Sequence, residues 1–247
     1  MKIIKTLLLS FAALLLTLAG YAQTSARLYN ENYMFTALYD DFSGTSLSDK
    51  WYETTNYARE IGYFVDSPST IGVDSAGLKL SMLYSPNYMG TVWKQDGWHT
   101  VYYNYIGGEI NSNESFSYGV FECLAKFAHN IGSMPAFWTM GGDGILCPPG
   151  GYSNEIDIAE VVCDEGNPTI DHVIFWYEPP VDCDNPTHAD KYRKNTSFNW
   201  DDAYHHFKCI WSGDKIEYFI DGNSTGYKYN NNEEWFPQYP QRIILSQ

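Results

Sequence analysis

Three acids fall within six residues in the segment Asn154-Glu155-Ile156-Asp157-Ile158-Ala159-Glu160, and β-forming residues separate them. On a regular strand side chains alternate, so Glu155 and Asp157 share one face and Glu160 points to the other. One extra residue, a β-bulge around Ile158-Ala159, returns Glu160 to the face of the other two. Three crowded carboxylates cannot all ionise freely, so at least one keeps its proton to higher pH. A carboxylate beside a proton-holding carboxylic acid is the equipment of glycoside hydrolysis: one attacks the sugar, the other protonates the departing oxygen. A solvated acidic strand is the plain alternative. The apolar residues between the acids and the Trp-rich context weigh against it.

The segments around this cluster read as strands. After residue 22 no run of apolar residues recurs at helical spacing, while short aromatic and β-branched segments are cut by Gly, Asn, Asp and Pro. Examples are Gly77–Leu83, Tyr118–Cys123, Ile170–Tyr177 and Lys215–Gly222. Asp221-Gly222-Asn223 has the composition of a tight hairpin turn. This spacing of strands and turns predicts an all-β sandwich. No repeat, low-complexity tract or linker divides residues 23–247, so a single domain is expected. Arg242-Ile243-Ile244-Leu245 reads as a last strand with no turn or partner strand after it. Its edge is expected to lie open.

Composition supports a packed core. Aromatic residues reach 17%, with 21 Tyr, 13 Phe and 8 Trp, and charged residues only 18%, which excludes a disordered chain, a coiled coil or a long-helix bundle. Net charge is −15 over 247 residues, and becomes −17 once Lys2 and Lys5 leave with the leader described next. So acidic a chain repels phosphate backbones, and no nucleic-acid partner is expected.

Met1-Lys2-Ile3-Ile4-Lys5 forms a positive n-region, Leu7 to Leu18 is an uncharged apolar h-region, and Gly20-Tyr21-Ala22 offers small residues before a cut at Gln23. The apolar run is shorter than the ~20 residues a membrane span needs. Residues 1–22 are therefore read as a signal peptide. The mature protein is expected to be secreted or periplasmic, with no membrane contact after cleavage.

The five Cys show no metal-finger spacing. Cys123 alternates with Phe121, Ala125 and Phe127, and Cys209 with Phe207 and Trp211, so both read as small buried hydrophobes. Cys147, Cys163 and Cys183 leave room for one bridge among them.

Glu155-Ile156-Asp157-Ile158-Ala159-Glu160 also resembles the E-x-D-x-x-E signature of glycoside hydrolase family 16, the laminarinase, agarase and carrageenase relatives. Further segments resemble the family in order along the mature chain: Tyr39–Gly44 with Trp51, Gly107–Ser112, Phe116–Glu122, Met134–Trp138, Tyr204–Trp211 and Tyr218–Gly222. The resemblance implies a concanavalin A-like β-jelly-roll sandwich whose concave sheet forms an open substrate cleft. It implies that Glu155 is the nucleophile and Glu160 the general acid/base, with Asp157 tuning the nucleophile from between them. Retention of configuration through a glycosyl-enzyme needs the outer carboxyls ~5–5.5 Å apart. Departures fall at Met134, where many relatives carry Trp, at Asn154, often Gly, and at Leu124, often Arg. They touch sugar subsites rather than the chemistry. The closing strand that the family comparison places after Leu245 is absent, and with it part of a calcium site known in relatives, so neither metal nor cofactor is expected.

Trp138, Trp93, Trp98 and Trp176 are candidate stacking platforms for a pyranose face, with core packing as the alternative. His172 lies on a strand resembling one that carries a cleft His in relatives, with Phe175 the other residue for that place. His205 aligns with a family His and is read as structural. The expected protein is a monomeric, endo-acting, retaining β-glycoside hydrolase acting on a β-linked polysaccharide, either laminarin-type β-1,3-glucan or an algal galactan. Its acidity disfavours a heavily sulfated substrate. A non-catalytic lectin-like sandwich is the competing reading, but a lectin has no use for three acids at bulge spacing.

Overall fold

Alternate residues of the strand-like segments turn inward. The structure, a computed structural model, describes residues 23–30, 33–58, 62–94, 97–141, 155–164, 167–176, 188–195, 203–231 and 236–247. The leader expected at 1–22 lies outside them. Every regular element among the described residues is a β-strand.

One sheet contains β1 (Gln23–Asn30), β2 (Tyr33–Asp40), β11 (Gly119–Ala125), β16 (His205–Trp211), β17 (Lys215–Ile220) and β18 (Asn223–Tyr229). Their order is β18-β17-β16-β11-β1-β2. The second contains β3 (Trp51–Glu53), β10 (Glu109–Phe116), β12 (Ala136–Gly141), β13 (Glu155–Asp164), β14 (Asn167–Trp176), β15 (His188–Asn195) and β19 (Gln241–Ser246). Its order is β15-β14-β13-β12-β19-β10-β3. All pairs in both sheets are antiparallel. A smaller sheet is made by β4 (Tyr57–Ala58), β5 (Tyr63–Phe64), β8 (Leu83–Lys94) and β9 (Gly97–Gly107), and β6 (Ile71–Asp74) pairs with β7 (Gly77–Leu80).

The two large sheets share one apolar core, so the molecule is the expected all-β jelly-roll sandwich. Phe121, Phe207, Trp211, Ile216 and Tyr218 of the first sheet meet Ile110, Phe137, Ile156, Ile174 and Ile243 of the second. Aromatic contacts knit this layer, with Phe127 4.8 Å from Phe207 and Phe121 5.9 Å from Trp211. Cys123 and Cys209 are buried among them, and burial pushes the Cys209 thiol far up. Cys163 is free and buried, so it forms no bridge; Cys147 and Cys183 lie outside the described residues.

Two turn features decide local geometry. Asp221 and Gly222 both adopt positive φ, 49° and 79°, which gives the β17–β18 hairpin the two-residue turn anticipated from its composition. Asp40 accepts hydrogen bonds from the Phe42 amide (2.8 Å), the Ser48 hydroxyl (2.6 Å) and the Trp51 indole (3.0 Å), tying β2 to β3.

The open edge expected at Arg242–Leu245 is corrected. β19 is an interior strand, paired with β10 on one side and β12 on the other. Its neighbours come from a hundred or more residues earlier, which local sequence spacing does not reveal.

Candidate functional site

Register fixes the carboxylate face. Across β12 and β13, Ala136 stands opposite Glu160, Phe137 opposite Ala159, Trp138 opposite Asp157 and Met140 opposite Glu155. Ile158 is skipped in this ladder, and the β13–β14 ladder slips between the same two acids, Asp157 and Glu160. The bulge predicted around Ile158-Ala159 is present. Ile156, Ile158, Ala159 and Val161 all join the apolar core. Glu155, Asp157 and Glu160 face alternate residues of β12 on the other side, so they share one face.

The neighbouring strands extend that face as rows. Asp171, Glu160, Ala136, Ser246 and Glu109 form one row, from β14 to β10. Val173, Asp157, Trp138, Ile244 and Asn111 form the next, followed by Phe175, Glu155, Met140 and Arg242. Asp157 is only 2% exposed, while Glu155 and Glu160 are half-buried. A cleft over the face is lined by Asp157, Glu160 and Trp138 and walled by Tyr63, Phe64, Met82 and Met134. Met134, where relatives often carry Trp, is thus on the cleft wall.

The aromatic and histidine candidates separate. Trp138 is at the site, but only 3% of it is exposed, and its indole donates to the Ser246 hydroxyl at 3.1 Å. It packs with Ala136, Ile244 and Met140, so it is part of the cleft floor beside Asp157 rather than an open stacking platform. Trp93 lies on β8, opposite Trp98, and Trp176 ends β14; the side chains of Trp93 and Trp176 lie outside the described residues.

His172 is a correction. It shares the parity of Ile170 and Ile174, faces the interior and is 0% exposed, so it does not reach the cleft. Its Nδ1 donates to the Ile158 carbonyl at 2.6 Å, because a carbonyl can only accept. In the neutral ring Nε2 then accepts from the Thr225 hydroxyl at 2.8 Å. The ring stacks on Tyr218 of the facing sheet at 4.4 Å and 7°. His172 thus braces the bulge from behind. Phe175, the other residue considered for that place, is opposite Glu155 on the carboxylate face. His205 is structural as expected: its Nδ1 lies 2.7 Å from Asp221, whose other oxygen accepts from the His206 amide.

Three residues on the face were not singled out from the sequence. Asp171 is fully buried opposite Glu160. Glu109 is buried and accepts from the Thr54 hydroxyl at 2.7 Å, which in turn accepts from Asn111 at 2.6 Å. Arg242 places a guanidinium two strands from Glu155 and donates to the Tyr52 hydroxyl at 2.9 Å. Among the described residues no group of three or more His, Cys, Asp or Glu side chains is arranged to hold a metal ion.

Comparison with known proteins matches residues 64–247 to the model of the glycosyl hydrolases family 16. Glucan endo-1,3-beta-glucosidase A1 of Niallia circulans is 27% identical over 216 residues, covering 80% of this chain and 29% of that protein. A beta-glucanase of Acetivibrio thermocellus is 28% identical over 144 residues, 58% of this chain and 38% of its own length. The chain thus spans only about a third of the length of these two relatives. Among solved structures, SCLam, a non-specific endo-beta-1,3(4)-glucanase, superposes with a TM-score of 0.67 at 22% identity, over 92% of this chain and 85% of that one. At that identity the likeness speaks for the fold.

Proposed function

This chain belongs to family 16 of the glycosyl hydrolases, and we propose that it is an exported, endo-acting enzyme that cleaves a β-linked polysaccharide with retention of configuration. One observation carries the reading. The bulge at Ile158 gathers Glu155, Asp157 and Glu160 on a single face beside a walled cleft.

In this reading Glu155 attacks the anomeric carbon while Glu160 gives its proton to the departing glycosidic oxygen. A glycosyl ester on Glu155 follows. Glu160, now ionised, takes a proton from water, which opens the ester and releases the sugar with its original configuration. Asp157, almost fully buried between the two, holds its charge or its proton beside Glu155 and so tunes the attacking group. The Tyr63, Phe64, Met82 and Met134 wall keeps water from the sugar face and favours a neutral chain.

Laminarin-type β-1,3-glucan is the substrate best supported, since the Niallia circulans relative is named an endo-1,3-beta-glucosidase and SCLam an endo-beta-1,3(4)-glucanase. The leader at residues 1–22 supports export, followed by action as a single-domain monomer outside the cytoplasm.

The test is incubation of the purified protein with β-1,3-glucan, mixed-linkage glucan, agarose and κ-carrageenan. Products are sized by chromatography and their first-formed anomer is read by NMR. Mid-chain cleavage of the β-1,3-glucan with an initial β-anomer is expected. Binding without cleavage of every polymer would replace the enzyme by the lectin-like reading, and an initial α-anomer would overturn the roles of Glu155 and Glu160.

A further inference from the structure

β8 and β9 form a long hairpin with two unlike faces. On one, Tyr88, Gly90 and Val92 stand opposite Tyr103, Val101 and His99. That face lies over Tyr63 of β5, whose ring is 5.5 Å from Tyr88 and 6.2 Å from Tyr103. The Tyr63 hydroxyl donates to the Thr91 carbonyl at 2.7 Å and accepts from the Thr91 amide at 3.1 Å. A Cβ at Gly90 would meet the same ring at 2.5 Å, so a side chain there would lift the hairpin off.

The opposite face is open. Met89 and Thr91 stand across from Tyr102 and Thr100, with Trp98 toward the tip. Trp98 is 62% exposed, Tyr102 66% and Met89 64%. On one strand, four residues apart, Trp98 and Tyr102 are separated by about 13 Å. The exposed hydroxyls of Thr91 and Thr100 lie between them. Apart from His99 on the opposite face, residues 83–107 include only Lys94 and Asp96 as acid or base, in a chain of net charge −15. Aromatic rings interleaved with hydroxyls and almost no charge match a long ligand with C–H faces and equatorial hydroxyls. A lipid surface calls for aliphatic or basic groups instead.

The hairpin is continuous with the cleft. Gly107, where β9 ends, and Met82, just before β8, both line it with Asp157 and Glu160, as does Tyr63. We propose that the Trp98–Tyr102–Met89 face is a second carbohydrate-binding platform, taking a neutral β-linked polysaccharide outside the cleft and holding the polymer while the cleft works. The holding role rests on the hydrolase reading above; the binding site does not.

The test compares the whole protein with Trp98→Ala/Tyr102→Ala and Trp98→Phe/Tyr102→Phe, using retardation in gels containing soluble β-1,3-glucan, rates on a short β-1,3-gluco-oligosaccharide, and sedimentation. The alanine pair is expected to lose affinity for the polymer by about tenfold or more with its oligosaccharide rate unchanged. The phenylalanine pair should keep most of the retardation, because the ring faces remain. Equal retardation of parent and alanine pair, or none in the parent, overturns the platform. A parent dimer that the alanine pair dissolves would assign the face to a second copy instead. Retardation of the parent without any hydrolysis would remove the enzyme reading and leave the platform standing.

Discussion

Trp138 faces Asp157 across β12 and β13, whereas Phe137, its immediate neighbour, faces Ala159. One ladder step therefore consumes two residues of β13, and the residue left over is Ile158. Everything chemical about the site depends on that step, because it decides whether Glu160 points to the cleft or to the core.

Inserting one alanine between Ala159 and Glu160 moves Glu160 one place along the strand and turns it inward. Hydrolysis should fall by ~10²–10⁴-fold, as for loss of a general acid, and stability should fall with it. Ile158→Val keeps the residue count and should cost only ~0.5–1.5 kcal/mol of stability, with turnover close to the parent. Turnover and urea unfolding of both variants check this; an active insertion variant would show that the face of Glu160 is dispensable.

Glu155→Gln and Glu160→Gln should differ by substrate. On the proposed roles, Glu155→Gln removes the attacking group and should abolish turnover on every substrate. Glu160→Gln should silence polysaccharide cleavage yet retain glycosylation by an aryl glycoside whose phenol leaves without a proton. Rates on both substrate types separate the roles, and equal losses would undo the assignment.

How much of this was visible in the sequence follows from what is local. The parity of Glu155, Asp157 and Glu160 needs only six neighbouring residues, and so does the demand for a bulge. For His172 the signal lies in the sequence, since it alternates with Ile170 and Ile174 and so shares their inward face. Asp171 was legible too. Asp164 pairs with Asn167, so counting outward from the two residues between them sets Asp171 opposite Glu160. The burial of Trp138 was not legible, because its partners Ile244 and Ser246 lie on β19, Ser246 being 108 positions away.

Trp138 should behave as structure. As a buried floor residue, Trp138→Ala should cost ~3–5 kcal/mol, and Ser246→Ala only ~0.5–1.5 kcal/mol for the lost hydrogen bond. Denaturant unfolding reads both. A Trp138→Ala variant with parent stability and a raised KM would instead restore the stacking role.

Lys215 and Glu217 lie 2.7 Å apart on β17, and their hydrogen bond lowers the Glu217 carboxyl and raises the Lys215 ammonium. The glutamate's contribution is present above the ordinary carboxylate range and disappears as pH falls through its lowered pKa. The lysine's is present below the ordinary ammonium range and disappears as pH rises through its raised pKa. The pair is partly exposed, so Glu217→Gln should cost only ~0.2–1 kcal/mol near pH 7. That gap should close in acid. Urea midpoints of both proteins at neutral pH and at pH ~3 decide it, and a gap unchanged at low pH would mean the loss is not electrostatic.

His172 links the two sheets at the back of the bulge, and its replacement tests whether that brace matters. Phenylalanine keeps a flat ring for Tyr218 to stack on but offers neither nitrogen. His172→Phe then leaves the Ile158 carbonyl without its donor and the Thr225 hydroxyl without its acceptor. The buried Ile158 carbonyl left unsatisfied costs ~1–3 kcal/mol, so unfolding should come at clearly lower denaturant. Thr225→Val removes one hydroxyl and retains the bond to Ile158, so it should cost less, ~0.5–1.5 kcal/mol. The difference between the two variants isolates the Ile158 bond. Because that carbonyl belongs to the bulge residue, its release should also loosen the placement of Glu160, lowering kcat more than it changes KM. A His172→Phe protein with parent unfolding and parent kcat would show that strand pairing alone holds the bulge. A stability loss with kcat intact would confine His172 to the core.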